Sequence, residues 1–322
     1  MENNVKPKRK RSRFFEIWKR FKKNPLAMIG LVILTLMVIL AATAGIIAPP
    51  SEDGLPAYMV QNRRNALQFP SSEHIMGTDQ LGRDVFHRIA HGSRISLSVG
   101  LVVIGIGLTF GVSLGAIAGF YGGLVDNIFM RIIDIILAMP NIMLAITIAA
   151  MLGPGMMNVM IAVGVGAIPV YARTVRALVL TYKEQEFVEA AKAAGANDFR
   201  LIRRHILPNC ISPLIVEASM GMAGGIMAAA ALSFIGIGLQ APIPEWGAML
   251  AEGRGFLLSG FWYLTVFPGV MIALIIFSLN MMGDGLRDAL DPRLRSGGFS
   301  KKRFRRMQLM KAAAQTESGE GQ

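Results

Sequence analysis

Five long windows of this sequence contain no Asp, Glu, Lys or Arg: residues 26–48, 95–125, 135–172, 218–244 and 255–283. Each is long enough to supply the roughly 20 apolar residues that cross a bilayer, so the chain is expected to fold in lipid. The third window is long enough for two crossings. Gly153, Pro154, Gly155 and Asn158 divide it, because such a cluster favours a tight polar turn. Six transmembrane helices follow, near 26–48, 96–120, 128–152, 157–179, 212–236 and 261–282. Composition agrees: 53% of the 322 residues are hydrophobic and only 17% charged, which argues against a soluble globule. The fold class is therefore an all-α membrane protein.

Basic residues orient the bundle, since Lys and Arg are retained on the cytoplasmic side. Residues 1–25 carry ten, residues 173–204 carry seven and the tail from Gly283 carries nine. The turn at 153–158 has none, and 237–260 has only Arg254. Six crossings with both termini cytoplasmic put all three basic segments on one side. The 49–94 segment then lies outside, its five Lys/Arg offset by Glu52, Asp53, Glu73, Asp79 and Asp84. Because the net charge of +12 sits beside the spans, its expected partner is anionic lipid and not nucleic acid. Phe14, Ile17, Trp18 and Phe21 recur at helical spacing among lysines and arginines, which predicts an interfacial helix before the first span. That span is too long for a cleaved signal peptide. Cys210 is the only cysteine, so an intrachain disulfide is excluded.

The sequence carries no energy source of its own. No lysine is followed by Ser or Thr, so the phosphate-binding loop is absent. A proton or sodium carrier usually places ionisable groups mid-span, whereas here they lie near span ends. Arg131 and Asp134 are expected to pair along one helical face, and Glu217 lies about a turn and a half into the fifth span. Gly107, Gly111, Gly115 and Gly119 repeat every four residues and give the second span a smooth face for close helix packing; Gly221 and Gly225 do the same for the fifth.

Between the fourth and fifth spans lies "EAAKAAGANDFRLIRRHILPN", residues 189–209. Glu184 to Ala194 reads as a short helix of strong helix formers. Gly195 supplies a left-handed cap, Asn197 or Asp198 caps a second helix from Phe199, and Pro208 is expected to break the chain before the fifth span. Ala190 and Ala191 leave a face of little bulk that can dock on another protein. An ordinary cytoplasmic connector satisfies the same local features.

In the outer 74–94 segment, His87 and His91 share a spacing that metal sites use, near His74 and Asp79. The simpler reading has Thr78 or Asp79 capping a short helix that Gly92 ends, with Arg94 anchoring the second span, and no metal is expected. Trp246 and Trp262 read as interfacial anchors.

The spacing of the 189–208 stretch resembles the signature loop of ABC importer permeases: Glu-Ala-Ala, three residues, Gly, nine residues, an apolar position, any residue, then Leu-Pro. Glu189, Ala190, Ala191, Gly195, Leu207 and Pro208 match in register, and His205 departs from the general pattern in the manner of the peptide-importer branch. "GTDQLGRDVFHRIAHGSRISL" from Gly77, "PEWGAML" from Pro244 and "MGDGLRDALDPRLR" from Met282 resemble the smaller permease of the dipeptide, oligopeptide and nickel group of that branch. The likeness covers residues 14 to about 295.

The resemblance implies a type I, MetI-like bundle of five core spans plus an N-terminal one, in a bacterial inner membrane. Residues 1–25 would be a basic amphipathic start, 26–94 the first span and outer segment, 95–290 the core with its coupling loop at 183–210, and 291–322 a basic tail. A second, homologous permease, two ATP-binding subunits and an extracytoplasmic solute-binding protein would complete the assembly. ATP and Mg would belong to the ATPase subunits, and this chain would perform no chemistry. Glu189, Ala190, Ala191, Gly195, His205, Leu207 and Pro208 would form the ATPase-coupling site. The implied cargo is a di- or oligopeptide; nickel, glutathione or another small solute is the alternative within the family. A one-chain secondary carrier and a membrane scaffold are the readings from other classes.

Overall fold

The computed structural model describes residues 13–51 and 54–291. The basic residues before Arg13, the Phe14 side chain, Glu52, Asp53 and the tail beyond Asp291, with its Pro292–Arg295 portion of the "MGDGL" motif, lie outside the described residues. Among those described, regular structure is helical apart from one isolated bridge between Thr78 and Asp84.

Helix α1 (Arg13–Phe21) is amphipathic; Trp18 and Phe21 stack with ring centroids 5.8 Å apart. Asn24 ends it and starts α2 (Pro25–Ile47), accepting hydrogen bonds from the backbone N–H of Leu26 and Ala27. Pro25 follows at the first helical position, where a missing N–H costs nothing. Helix α3 (Val85–Tyr121) is a single 37-residue rod. Its N-cap is Asp84, which accepts from the His87 N–H, and not Thr78 or Asp79.

Gly92 does not end a helix inside it. A Cβ there would meet the Pro244 carbonyl at 2.2 Å and the Trp246 ring at 3.0 Å, so this glycine makes room for the last outer loop. Arg94 lies within the continuous rod and donates to the carbonyls of Ala41 and Ala42, tying α3 to α2.

The expected straight third span is bent. Helix α4 (Gly123–Leu137) and α5 (Asn141–Leu152) meet at 90°, because Pro140 has no N–H to continue the ladder and drives Met139 away from helical geometry. Among the described residues five helices are long and apolar enough to cross alone, and this pair makes a sixth crossing if counted as one. Asp134 does not pair with Arg131; it meets Arg173 of α6 (Met156–Lys183) at 2.6 Å, a neighbour that tertiary packing brings closer. Asp126 similarly accepts two bonds from Arg176, at 2.5 and 2.6 Å.

Helix α3 packs most extensively on α6. The glycines spaced by four make this possible: a Cβ on Gly107 would touch the Tyr171 ring at 2.8 Å, on Gly111 the Tyr171 Cβ at 2.5 Å, on Gly115 the Ala172 carbonyl at 2.3 Å and on Gly119 the Arg176 carbonyl at 2.9 Å. We expect Gly115→Val to force the two backbones apart and cost about 1–3 kcal/mol, the usual price of overpacking. Gly105→Val is the control, since a Cβ there meets nothing within 4 Å. A thermal midpoint equal for both variants in detergent would contradict this account.

After α7 (Glu186–Ala193), α8 (Asp198–Arg200) leads through a π turn (Leu201–Ile206) into α9 (Leu207–Ile235). A short outer helix, α10 (Trp246–Gly253), precedes α11 (Tyr263–Leu290), which packs on α1, α2 and α9. At its C-terminal end Gly285 lies against Ala27, and Asn24 Nδ2 donates to Asp288 at 3.2 Å.

Candidate functional site

The 183–210 loop is built by local chemistry. Helix α6 stops at Lys183, and α7 begins after Gln185. At its far end the Ala196 N–H reaches back to the Ala191 carbonyl at 3.1 Å and the Gly195 N–H to Lys192 at 3.0 Å, the pattern of a left-handed helix end. Gly195 has φ +84°, so a residue without Cβ suits it, yet a Cβ there would meet nothing within 4 Å. The glycine is required by backbone conformation and not by space within this chain. Asn197 caps the next helix, its Oδ1 accepting from the Arg200 N–H at 2.9 Å.

Pro208 does not break the chain. Residues Asp198–Ile235 form one continuous helix. Pro208 has no N–H to donate and its ring crowds the preceding turn; the turn widens instead, with the Leu207 N–H bonding to Ile202 in π fashion. Any displacement of the 198–206 region is therefore carried into the membrane by an unbroken rod.

A buried floor holds this segment in place. Val188, Leu201, Ile206 and Cys210 pack with Val175, Val179 and Ala116, all under 5% exposed. Ala191 and Leu207 are partly buried on that floor, whereas Glu189, Ala190, Gly195 and Pro208 face outward. His205 sits half-buried in the π turn, its carbonyl accepting from Asn209 Nδ2 at 2.6 Å. The seven residues singled out by spacing thus lie on one small unit, partly on its surface and partly beneath it.

Two surface residues were not singled out. Phe187 is 42% and Phe199 68% exposed. Phe199 stacks under Arg203, with the guanidinium carbon 5.9 Å from the ring, and lines an open groove of about 420 Å³ with Asn197, Arg200, Arg204 and Pro208. An exposed aromatic beside arginines is the composition of a docking hot spot; an isolated Phe in a charge-rich loop was the available signal.

On the opposite face, the two outer motifs form one structure. Asp79 accepts from the N–H of Leu81 and Arg83 with one oxygen, and from Arg83 Nε at 2.6 Å and Arg88 Nη1 at 2.8 Å with the other. Both arginines also reach Glu252 of α10, at 2.7 Å each. Arg83 and Arg88 are 1% and 2% exposed. The Tyr263 hydroxyl donates to the Thr78 carbonyl at 2.9 Å.

Trp246 is not an interfacial anchor: it is fully buried, its indole N–H directed at the Ile89 carbonyl 3.3 Å away. The Pro244 turn, lodged over Gly92, places it inside. Trp262, by contrast, is 46% exposed. Glu245 caps α10 through the N–H of Gly247 and Ala248, both at 2.9 Å, and burial pushes its carboxyl above the usual range while those bonds pull it back. The histidines do not converge. His74 Nδ1 meets Asp84 at 2.8 Å and His91 meets the Ala48 carbonyl at 3.0 Å, and no group of three potential ligands is assembled among the described residues.

Residues 111–296 match the family described as binding-protein-dependent transport system inner membrane component. Residues 12–70 match the N-terminal TM domain of oligopeptide transport permease C. A dipeptide transport system permease protein from Alkalihalophilus pseudofirmus is 47% identical over 87% of this chain and 90% of its own length. One from Haemophilus influenzae is 42% identical, over 87% and 95%. A glutathione transport system permease protein from Pectobacterium atrosepticum is 41% identical, over 91% and 95%. Two chains from inward-facing MetNI methionine ABC transporter structures cover 62% and 63% of this chain and 94% and 96% of their own, with TM-scores of 0.50 and 0.51 at 20% and 19% identity. That likeness is one of fold.

Proposed function

This chain belongs to the binding-protein-dependent transport system inner membrane components, and we propose that it is the permease that carries di- or oligopeptides into the cytoplasm at the expense of ATP hydrolysed by other subunits. It is a multi-pass membrane protein with the MetI-like permease fold. The dipeptide-permease relatives support the cargo. Residues 95–290 are the core in this reading, with both termini and the 183–210 loop cytoplasmic and the Asp79–Glu252 cluster outside.

The observation that carries the proposal is the coupling unit: an outward face of Glu189, Ala190 and Gly195, on α7 and its closing turn, packed through Val188 on a buried floor that includes Leu201 and Ile206 of the unbroken 198–235 helix. Within this reading α7 seats in a groove of an ATPase subunit, Ala190 permitting close approach and Phe187 and Phe199 filling apolar recesses. Closure of the ATPase pair pushes on the 198–206 region, and the continuous helix turns that push into a swing of α9 against α6. A distinct homologous permease supplies the other half of the path, and an extracytoplasmic binding protein delivers the cargo. ATP and Mg²⁺ sit in the ATPases; this chain supplies mechanical coupling and a path, without chemistry.

Purification of the tagged chain from its native membrane in mild detergent tests the assembly. We expect a second permease and ATP-binding subunits to co-purify. Recovery of this chain alone across several detergents would overturn the reading. Glutathione is itself a tripeptide, and the glutathione-named relatives make it the first competitor to try in an uptake assay.

A further inference from the structure

Most acids in the membrane-facing bundle are accounted for. Asp126 and Asp134 are held by Arg176 and Arg173, and Asp288 accepts from Asn24. Glu217 of α9 and Asp284 of α11 have no hydrogen-bond or ion-pair partner for their carboxylates among the described residues, but Glu217 opens onto two cavities at once.

The larger, about 500 Å³, lies between α5, α6 and α9, walled by Asn141, Gly166, Tyr171, Gly221 and Gly224. The smaller, about 290 Å³, runs from Glu217 and Met220 past Thr174 and Ser212 to Arg287 and Asp291 at the end of α11. Glu217 and Met220 line both. The two cavities therefore adjoin at Glu217 and Met220, a candidate route with a carboxylate at the junction.

The volume falls within the range that small-molecule sites occupy, and such sites are apolar with a few polar groups that fix orientation. Residues 217, 221, 224, 228 and 231 of α9 line the larger cavity and recur at helical spacing on one face. Gly224 is exposed, and a Cβ there would meet nothing within 4 Å. No packing contact in this chain requires a glycine at 224, but a side chain there would project into the route. A carboxylate unpartnered in an apolar cavity is costly unless a cation visits it.

We propose that Glu217 is a cargo-binding residue of the transport route, pairing transiently with the α-ammonium group of a peptide as it passes from the larger cavity to the smaller. Asn141, which is exposed, also lines the larger cavity and can meet a peptide's amide groups, whereas the buried Tyr171 hydroxyl is directed at the Glu217 backbone carbonyl at 3.4 Å. The inference rests on the peptide reading above.

The test uses the assembled transporter in proteoliposomes with its binding protein and a labelled dipeptide. Glu217→Gln is expected to lower uptake roughly tenfold or more, the scale of one lost charge-assisted hydrogen bond. Glu217→Asp should restore a substantial part of it. Gly224→Leu, at a position where an added Cβ meets nothing within 4 Å, should lower uptake comparably by filling the cavity. All three should co-purify with the second permease and the ATP-binding subunits as the wild type does, which separates lost cargo pairing from lost assembly. Wild-type uptake by Glu217→Gln would overturn the proposal. So would loss of the second permease from the purified Glu217→Gln assembly, which would make Glu217 half of an inter-subunit ion pair. If the unaltered transporter moves another solute but no peptide, the peptide reading fails and the ammonium assignment fails with it.

Discussion

Gly195→Trp is expected to leave this protein in the membrane at near-normal abundance and to reduce cargo uptake by at least about thirtyfold, the effect of losing roughly 2 kcal/mol at a docking hot spot. Inside the chain the substitution is inexpensive. The added Cβ meets nothing within 4 Å, and a left-handed residue other than glycine costs about 1–2 kcal/mol, small beside a total stability of roughly 5–15 kcal/mol. Outside the chain it is severe, because the indole stands on the face that the proposal assigns to the ATPase groove. Gly195→Asn separates the two effects: asparagine tolerates the same φ with little bulk, so its uptake should stay within a few-fold of wild type. Membrane abundance by immunoblot and uptake in whole cells, measured together, check the prediction. Near-normal uptake with tryptophan would show that nothing docks at this turn.

Asp79→Ala is the second change with a large expected effect, and it acts through stability on the opposite side. Asp79 accepts four hydrogen bonds and sits between two arginines that are 1% and 2% exposed. Its removal leaves two buried cations sharing Glu252 alone. Breaking a buried pair in this way typically costs about 3–5 kcal/mol, and here it frees the 79–83 turn from the start of α3, whose Arg88 keeps only Glu252 of α10. We expect low accumulation and a clearly lowered thermal midpoint in detergent. Asp79→Asn, which retains an acceptor oxygen for the Leu81 and Arg83 N–H groups, should be intermediate. An unchanged midpoint for the alanine variant would show that the cluster is dispensable.

What the sequence made legible were the features with short-range causes. Charge-free windows locate the helices because lipid excludes charge over a known thickness. Gly195 and Asn197 are readable because each acts on backbone groups two to five residues away. Glycines spaced by four imply a close helix neighbour, although only the structure identifies it as α6.

The misreadings have long-range causes. The Arg88–Glu252 pair, 164 residues apart, has no sequence reading at all, because nothing local distinguishes that arginine from a surface one. Trp246 has the sequence context of an interfacial tryptophan; its burial depends on the vacancy of side chain at Gly92 in another helix. Asp134 is taken by Arg173, 39 residues on, in preference to Arg131 three residues away. The two prolines show the limits of a local rule: Pro140 bends its segment by 90°, whereas Pro208 is absorbed by a widened turn. The second outcome leaves residues 198–235 as one continuous helix, on which the proposed coupling depends.

The central claim is that this chain moves peptides by borrowing ATP hydrolysis from partner subunits. The most direct measurement is uptake of labelled dipeptide into proteoliposomes containing the purified assembly, with ATP and with the solute-binding protein each present or omitted. The account predicts uptake only when both are present, unaffected by collapsing proton and sodium gradients. Gradient-driven uptake by this chain alone, without ATP, would contradict it.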